Sequence, residues 1–163
     1  RRLAEHLVAN HGRPVSRDFA RAPRLAQVFP EAEDLARAES IQVGMPAARR
    51  AALQELAQTA ATDPNLFRPF GTIEEAIARL RRIHGVGEWT AQYIALRALR
   101  ETDAFPAADI GLLRGAEAID GMRPTVSKLL VRSESWRPWR AYAAQHLWAA
   151  GASVPTKLRS TYA

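Results

Sequence analysis

Apolar residues recur at helical spacing along nearly the whole chain, and no stretch alternates strictly enough to predict a strand. Residues 1–10 read as a helix that stops near Gly12 and Pro14. Residues 15–30, punctuated by Pro23 and Pro30, read as loop, and a short helix is expected around 31–39. Gly44-Met45-Pro46 is a break. Proline suits the first turn of a helix, and the helix that follows runs to about Thr62 with Leu53, Leu56 and Ala60 on one face. Asp63-Pro64 to Phe70-Gly71 is a connector. Thr72-Ile73-Glu74-Glu75 has the form of a capping box, and Ile73, Ile77 and Leu80 then recur on one face. Gly85 and Gly87 end that helix and turn the chain into another, predicted from Glu88 to about Arg100. After a loop over 101–108, a helix begins behind Asp109 and runs to about Ile119. Another is expected around 125–134. Pro138 opens a last long helix carrying Trp139, Tyr142, Leu147 and Trp148. The sum is an all-α, multi-helix bundle.

At 163 residues and 47% hydrophobic, the chain can bury a core of its own. No apolar run approaches the roughly 20 residues of a membrane span. No secretory leader is expected before Arg1-Arg2-Leu3-Ala4, which already reads as helix, and more chain is expected upstream. The absence of cysteine excludes disulfides, thiolate zinc sites and cysteine-ligated iron–sulfur clusters. His6, His11, His84 and His146 are scattered, without the helical pair that marks a metal site. The net charge is +6 and the pI about 10.7. Lys128 and Lys157 are the two lysines, so the basic surface is arginine, whose planar fork suits phosphate.

The densest signal is Leu80-Arg81-Arg82-Ile83-His84-Gly85-Val86-Gly87-Glu88-Trp89-Thr90-Ala91, a helix, a glycine hairpin and a second helix. Such a turn lets another backbone approach closely. The helix behind it presents unsatisfied N–H groups and the positive end of its dipole, which together favour an anion. Gly85, Val86, Gly87 and the hydroxyl of Thr90 are therefore candidate contacts to a DNA phosphate. The alternative is an ordinary helix end followed by a turn. Asp109, downstream, is either the cap of the next helix or an acid that works on a sugar.

This segment resembles the helix-hairpin-helix motif of the base-excision DNA glycosylases, over residues 80–100. Gly87-Glu88-Trp89-Thr90-Ala91-Gln92-Tyr93, Asp103-Ala104-Phe105-Pro106-Ala107-Ala108-Asp109, Trp136-Arg137-Pro138-Trp139-Arg140-Ala141-Tyr142 and His146-Leu147-Trp148 resemble its alkylation-repair branch, the DNA-3-methyladenine glycosylase II family. Gly44-Met45-Pro46 before a basic helix fits as well. The likeness extends over most of the chain and implies a helical glycosylase domain over 1–163, part of a longer protein.

The resemblance implies a monofunctional glycosylase that hydrolyses the N-glycosidic bond of alkylated purines of the 3-methyladenine and 7-methylguanine type, after flipping the base out of the duplex. Asp109 occupies the family's catalytic position. Trp89, Tyr93 and Trp148 fall on its base pocket, where aromatic faces attract a cationic base; the alternative for these rings is the core, which is expected for Trp136 and Trp139. Trp89 stands where bifunctional relatives carry a lysine, so no Schiff base is expected. Ile110 departs from the aromatic residue that well-known members place beside the acid. The family also binds a monovalent cation, Na+ or K+, through hairpin carbonyls, here those of Arg81, Ile83 and Val86. No other cofactor is expected. The partner implied is double-stranded DNA with alkylated bases, with no membrane or protein partner and a cytoplasmic, nucleoid-associated bacterial setting. The rival is a non-catalytic helix-hairpin-helix module that binds DNA in a regulator or repair scaffold, with Asp109 as a cap alone.

Overall fold

A computed structural model describes residues 2–15, 26–38, 41, 44–68 and 71–153. These form α1 (Arg2–His11), β1 (Arg13–Pro14), β2 (Gln27–Val28), α2 (Ala32–Arg37), α3 (Ala47–Thr62), α4 (Ile73–Leu80), α5 (Glu88–Ile94), α6 (Ile110–Asp120), α7 (Val126–Ser133) and α8 (Arg140–Ala152). The fold is all-α, as the periodicity predicts. No helix among the described residues is long and apolar enough to cross a membrane. The chain divides into two compact units, Arg1–Arg68 with Arg79–Val86, and Pro69–Ala78 with Gly87–Ala163.

In the first unit, Leu7 of α1, Leu35 of α2, Ile41 and Ala57 of α3 form a buried cluster, flanked by Ala36, Met45 and Leu53. The Gln54 amide donates to the carbonyls of Leu35, Ala36 and Ala38 at 3.0–3.2 Å. It thereby satisfies the end of α2, whose last carbonyls have no partner within the helix. Arg13 pairs Val28 and Pro14 pairs Gln27 in a small antiparallel bridge. This corrects the expectation of no strand: two residues a side are too few for alternation to show. The loop reading of 15–30 lies largely outside the described residues.

In the second unit, the Thr72 hydroxyl accepts from the Glu75 N–H (3.2 Å), and the Glu75 carboxylate accepts from the Thr72 N–H (2.8 Å). This is the capping box the sequence predicts, and it starts α4 at Ile73. α6 and α8 lie against each other, with Leu112, Ala116, Ala144 and Leu147 buried. Their approach depends on Gly115, where a Cβ would stand 1.9 Å from the Leu147 carbonyl oxygen.

The helix predicted to run from Glu88 to Arg100 is not uniform. α5 ends at Ile94, and residues 95–99 form one π-helical turn that closes with Arg100 in the left-handed region (φ 60°). The Glu101 N–H then reaches back to the Ala95 carbonyl at 3.0 Å. Apolar spacing over so short a segment does not distinguish 3.6 residues per turn from a wider winding. Trp139 is also not in the core. It caps the start of α8, is 57% exposed and meets the exposed Tyr142 edge to face, because the buried position there belongs to Arg140. Trp136 is half-buried, edge-on to the buried Phe105.

Candidate active site

Asp109 ends the loop that follows the π turn and begins α6. Its Oδ1 accepts hydrogen bonds from the N–H groups of Gly111 (2.8 Å) and Leu112 (3.1 Å), which makes it the N-cap. The same oxygen accepts from the Trp148 indole N–H at 2.8 Å, while Oδ2 accepts from the Trp89 indole N–H at 3.0 Å. One half-buried carboxylate thus joins α5, α6 and α8. Gly111 makes this possible: a Cβ there would lie 2.8 Å from both Asp109 Oδ1 and Trp148 Cδ1.

The aromatic residues gather around this acid. Trp89 and Tyr93, one helical turn apart on α5, stack with centroids 5.4 Å apart and planes 21° from parallel. Trp148 meets Tyr93 edge to face at 6.1 Å. Together with Asp109, Arg97 and Gln145 they line a cleft of about 550 Å³. Trp89 and Tyr93 form one continuous wall, so a flat ligand would lie on that wall and not between the two rings. Ile110 is 58% exposed and is not among the lining residues.

The loop that delivers Asp109 is fixed on both sides. On one, the side-chain amide oxygen of Gln92, Oε1, on α5 accepts from the Phe105 N–H at 3.0 Å. On the other, Arg140, 5% exposed, grips Asp103 with two parallel bonds, Nε to Oδ1 at 2.7 Å and Nη2 to Oδ2 at 2.9 Å. Its Nη1 donates to Glu134 at 3.1 Å, and Arg137 also pairs with Asp103. The Arg137 guanidinium is held above the usual arginine range, first by its hydrogen bond to Glu134 and then by the charges of Asp103, Glu134 and Glu74. Between these clamps Ala104, Phe105, Pro106 and Ala107 are buried. Asp103 is therefore a structural ion-pair residue, and Asp120 pairs with Arg132.

In the hairpin, the Val86 N–H donates to the Ile83 carbonyl at 3.1 Å, and the Ala91 N–H to the Gly87 carbonyl at 2.9 Å. Gly85 has φ +81°, and a Cβ on it would meet the Ala52 Cβ at 2.6 Å, so glycine is required there twice over. Gly87 differs from Gly85. As the N-cap of α5 it is extended (φ −82°, ψ 176°), a conformation open to any residue, and a Cβ on it would meet nothing within 4 Å. What Gly87 provides is open space in front of a helix start. Thr90 is half-buried in the first turn of that helix.

Sequence reasoning brought Asp109, Trp89, Tyr93 and Trp148 to one place, and the structure assembles them. It missed Arg97, Gln145 and the Arg140–Asp103 clamp. The spacing of Gln145 and Trp148, three apart on one helix, was a usable signal for Gln145. None marked the clamp, whose partners lie 37 residues apart.

No protein-family model matches the chain. It is 40% identical, over 89% of its length, to a probable bifunctional transcriptional activator/DNA repair enzyme AlkA of Mycobacterium tuberculosis, and spans 28% of that protein. It is 35% identical over 74% of its length to DNA-3-methyladenine glycosylase 2 of Escherichia coli, and spans 42% of it. Among solved structures, the 3-methyladenine DNA glycosylase of Archaeoglobus fulgidus superposes on 93% of the chain with a TM-score of 0.77 at 23% identity, with 52% of that protein covered. The Schizosaccharomyces pombe 3-methyladenine DNA glycosylase, in complex with abasic DNA, covers 90% with a TM-score of 0.65 at 23% identity, with 77% of it covered. Over part of their length, the chain is thus similar in sequence to proteins named as AlkA and as DNA-3-methyladenine glycosylases, and it shares the fold of the two 3-methyladenine DNA glycosylases above.

Proposed function

We propose that this chain is the helical glycosylase domain of a monofunctional base-excision repair enzyme that releases alkylated purines from double-stranded DNA. The observation that carries the proposal is the Asp109 carboxylate, held by two indole N–H groups at an aromatic cleft. A purine methylated at N3 or N7 is cationic, and the Trp89–Tyr93 wall attracts it by cation–π contact and stacking. Loss of the base leaves positive charge on the sugar, which a nearby fixed carboxylate stabilises. Three of the four hydrogen bonds to Asp109 fall on Oδ1. Oδ2 accepts one, so it retains a lone pair for the sugar or for the attacking water. Capping and chemistry are thus divided between the two oxygens. Trp89 has no amine to form a Schiff base, so the strand stays intact after base loss.

The hairpin, with Gly85, Val86, Gly87 and Thr90, grips a phosphate of the DNA. The open space before Gly87 and the leading N–H groups of α5 support this. The carbonyls of Arg81, Ile83 and Val86 would hold a monovalent cation, Na+ or K+, which would supply positive charge toward that phosphate. The Ile83 carbonyl accepts from the Val86 N–H and keeps one lone pair that could take part. The setting is the cytoplasm of a bacterium, on the nucleoid. The names of the sequence relatives do not favour a non-catalytic module.

The test uses the full-length protein and methylated DNA. Asp109→Asn keeps an oxygen for the cap but loses the charge, and 3-methyladenine release is expected to fall by about 100-fold or more while DNA binding persists. Undiminished release by this variant defeats the assignment.

A further inference from the structure

The pair that ties Asp103 to Arg140 is costly for what it adds to stability. Both side chains are largely withdrawn from water. Desolvating two charges costs about as much as their attraction returns, so apolar residues of similar volume would hold the fold as well. What an apolar contact does not supply is orientation. The Arg140 Nε and Nη2 bonds to the two Asp103 oxygens run parallel and fix the planes of both groups, and Nε also donates to the Asp103 carbonyl at 3.1 Å.

This pair sits at one end of a frame that has Asp109 at the other. α8 holds the loop at two points. At its start, Arg140 grips Asp103, and the Ala141 N–H donates to the Thr102 carbonyl at 2.8 Å. Farther on, about 12 Å along the helix, the Trp148 indole donates to Asp109 Oδ1. The loop between these points has no slack. The Ala107 N–H donates to the Phe105 carbonyl at 2.9 Å, and the Asp109 N–H to the Pro106 carbonyl at 2.8 Å. Pro106 has a fixed φ, and residues 104–107 are all buried. A shift at Asp103 is therefore passed on to Asp109 and moves its carboxylate against both indoles.

We propose that Arg140 and Asp103 are positioning residues for base release: their buried pair sets where the loop starts against α8 and thereby aligns the Asp109 carboxylate with the Trp148 and Trp89 indoles. This rests on the glycosylase reading above. Neither residue lines the cleft, so both act through Asp109 and leave the holding of DNA to other groups.

The experiment compares the full-length protein with two variants. Arg140→Lys keeps the charge and loses the fork. Asp103→Asn keeps the side chain's shape and loses the charge, and it decides alone if Arg140→Lys does not fold. Three quantities are measured: single-turnover release of 7-methylguanine at saturating protein, per folded molecule; affinity for undamaged duplex DNA; and solvent exchange of the Trp89 and Trp148 indole protons by NMR. Release is expected to fall about 10-fold, within the range that a displacement of about 1 Å at the reacting groups can cost, while affinity changes by less than about twofold. The two indole protons are expected to exchange about 5-fold faster or more, as their bonds to Asp109 loosen. Release within about twofold of wild type overturns the proposal. So does slower release with unchanged indole exchange, which reduces the pair to a contact that stabilises the fold and leaves the glycosylase reading standing. A wild-type protein that releases no methylated base overturns that reading and the proposal with it.

Discussion

At the scale of the residue, Asp109 is the point where fold and proposed chemistry meet. Its Oδ1 caps α6 and holds Trp148, so a substitution of Asp109 itself alters both roles together. The neighbouring Gly111 separates them. Gly111→Ala leaves the acid and both indoles chemically intact but puts a methyl 2.8 Å from Asp109 Oδ1 and Trp148 Cδ1. Alanine's higher helix propensity offsets part of the strain, about 1 kcal/mol. We expect melting stability to change by less than about 1 kcal/mol, while base release falls about 10-fold as the Trp148–Asp109 bond is lost. Thermal melts and single-turnover excision on the same preparation check it. Asp109 as a helix cap was legible from sequence, since an acid before an apolar helical run is a local signal. Arg97 was not, because on a helix surface an exposed polar residue facing a cleft looks the same in sequence as one facing solvent; Gln145 was marked only by its spacing of three from Trp148.

At the scale of the element, the hairpin separates two kinds of glycine. Gly85 holds a left-handed backbone against Ala52, whereas a Cβ on Gly87 would meet no atom of the chain within 4 Å. Gly85→Ala should therefore destabilise the protein by at least about 2 kcal/mol, through left-handed strain and the clash together. Gly87→Ala should cost only about 0.5 kcal/mol, the difference between glycine and alanine at an N-cap, yet weaken binding to duplex DNA. Urea denaturation and fluorescence anisotropy on both variants make the comparison; equal loss of stability in the two would contradict the division of roles. Helix positions were readable from periodicity, and the Thr72–Glu75 box and Pro46 marked two starts closely. The π turn at 95–99 and the exposed Trp139 were not readable. The first depends on hydrogen-bond offsets that leave apolar spacing nearly unchanged. The second depends on Arg140 being buried by a partner distant in sequence, Asp103.

At the scale of the whole molecule, arginine accounts for all but two of the 23 basic residues, and the net charge is +6. DNA binding by the full-length protein should be strongly salt-dependent. If four phosphates are neutralised, affinity falls about 100-fold between 50 and 200 mM salt, and a titration across that range measures the slope. A flat response would remove the backbone contacts assigned to the hairpin and the arginines. The two compact units bear differently on this picture. Trp89, Tyr93, Arg97, Asp109, Gln145 and Trp148, with the Arg140–Asp103 clamp that steadies them, all fall in the second unit, within Gly87–Ala163. The residues that line the cleft are thus encoded by one uninterrupted run of codons, from Trp89 to Trp148. A single recombination event on each flank would carry the acid and the aromatic wall together into another gene, so the cleft can pass between lineages as a block while the remainder of each protein keeps its own ancestry.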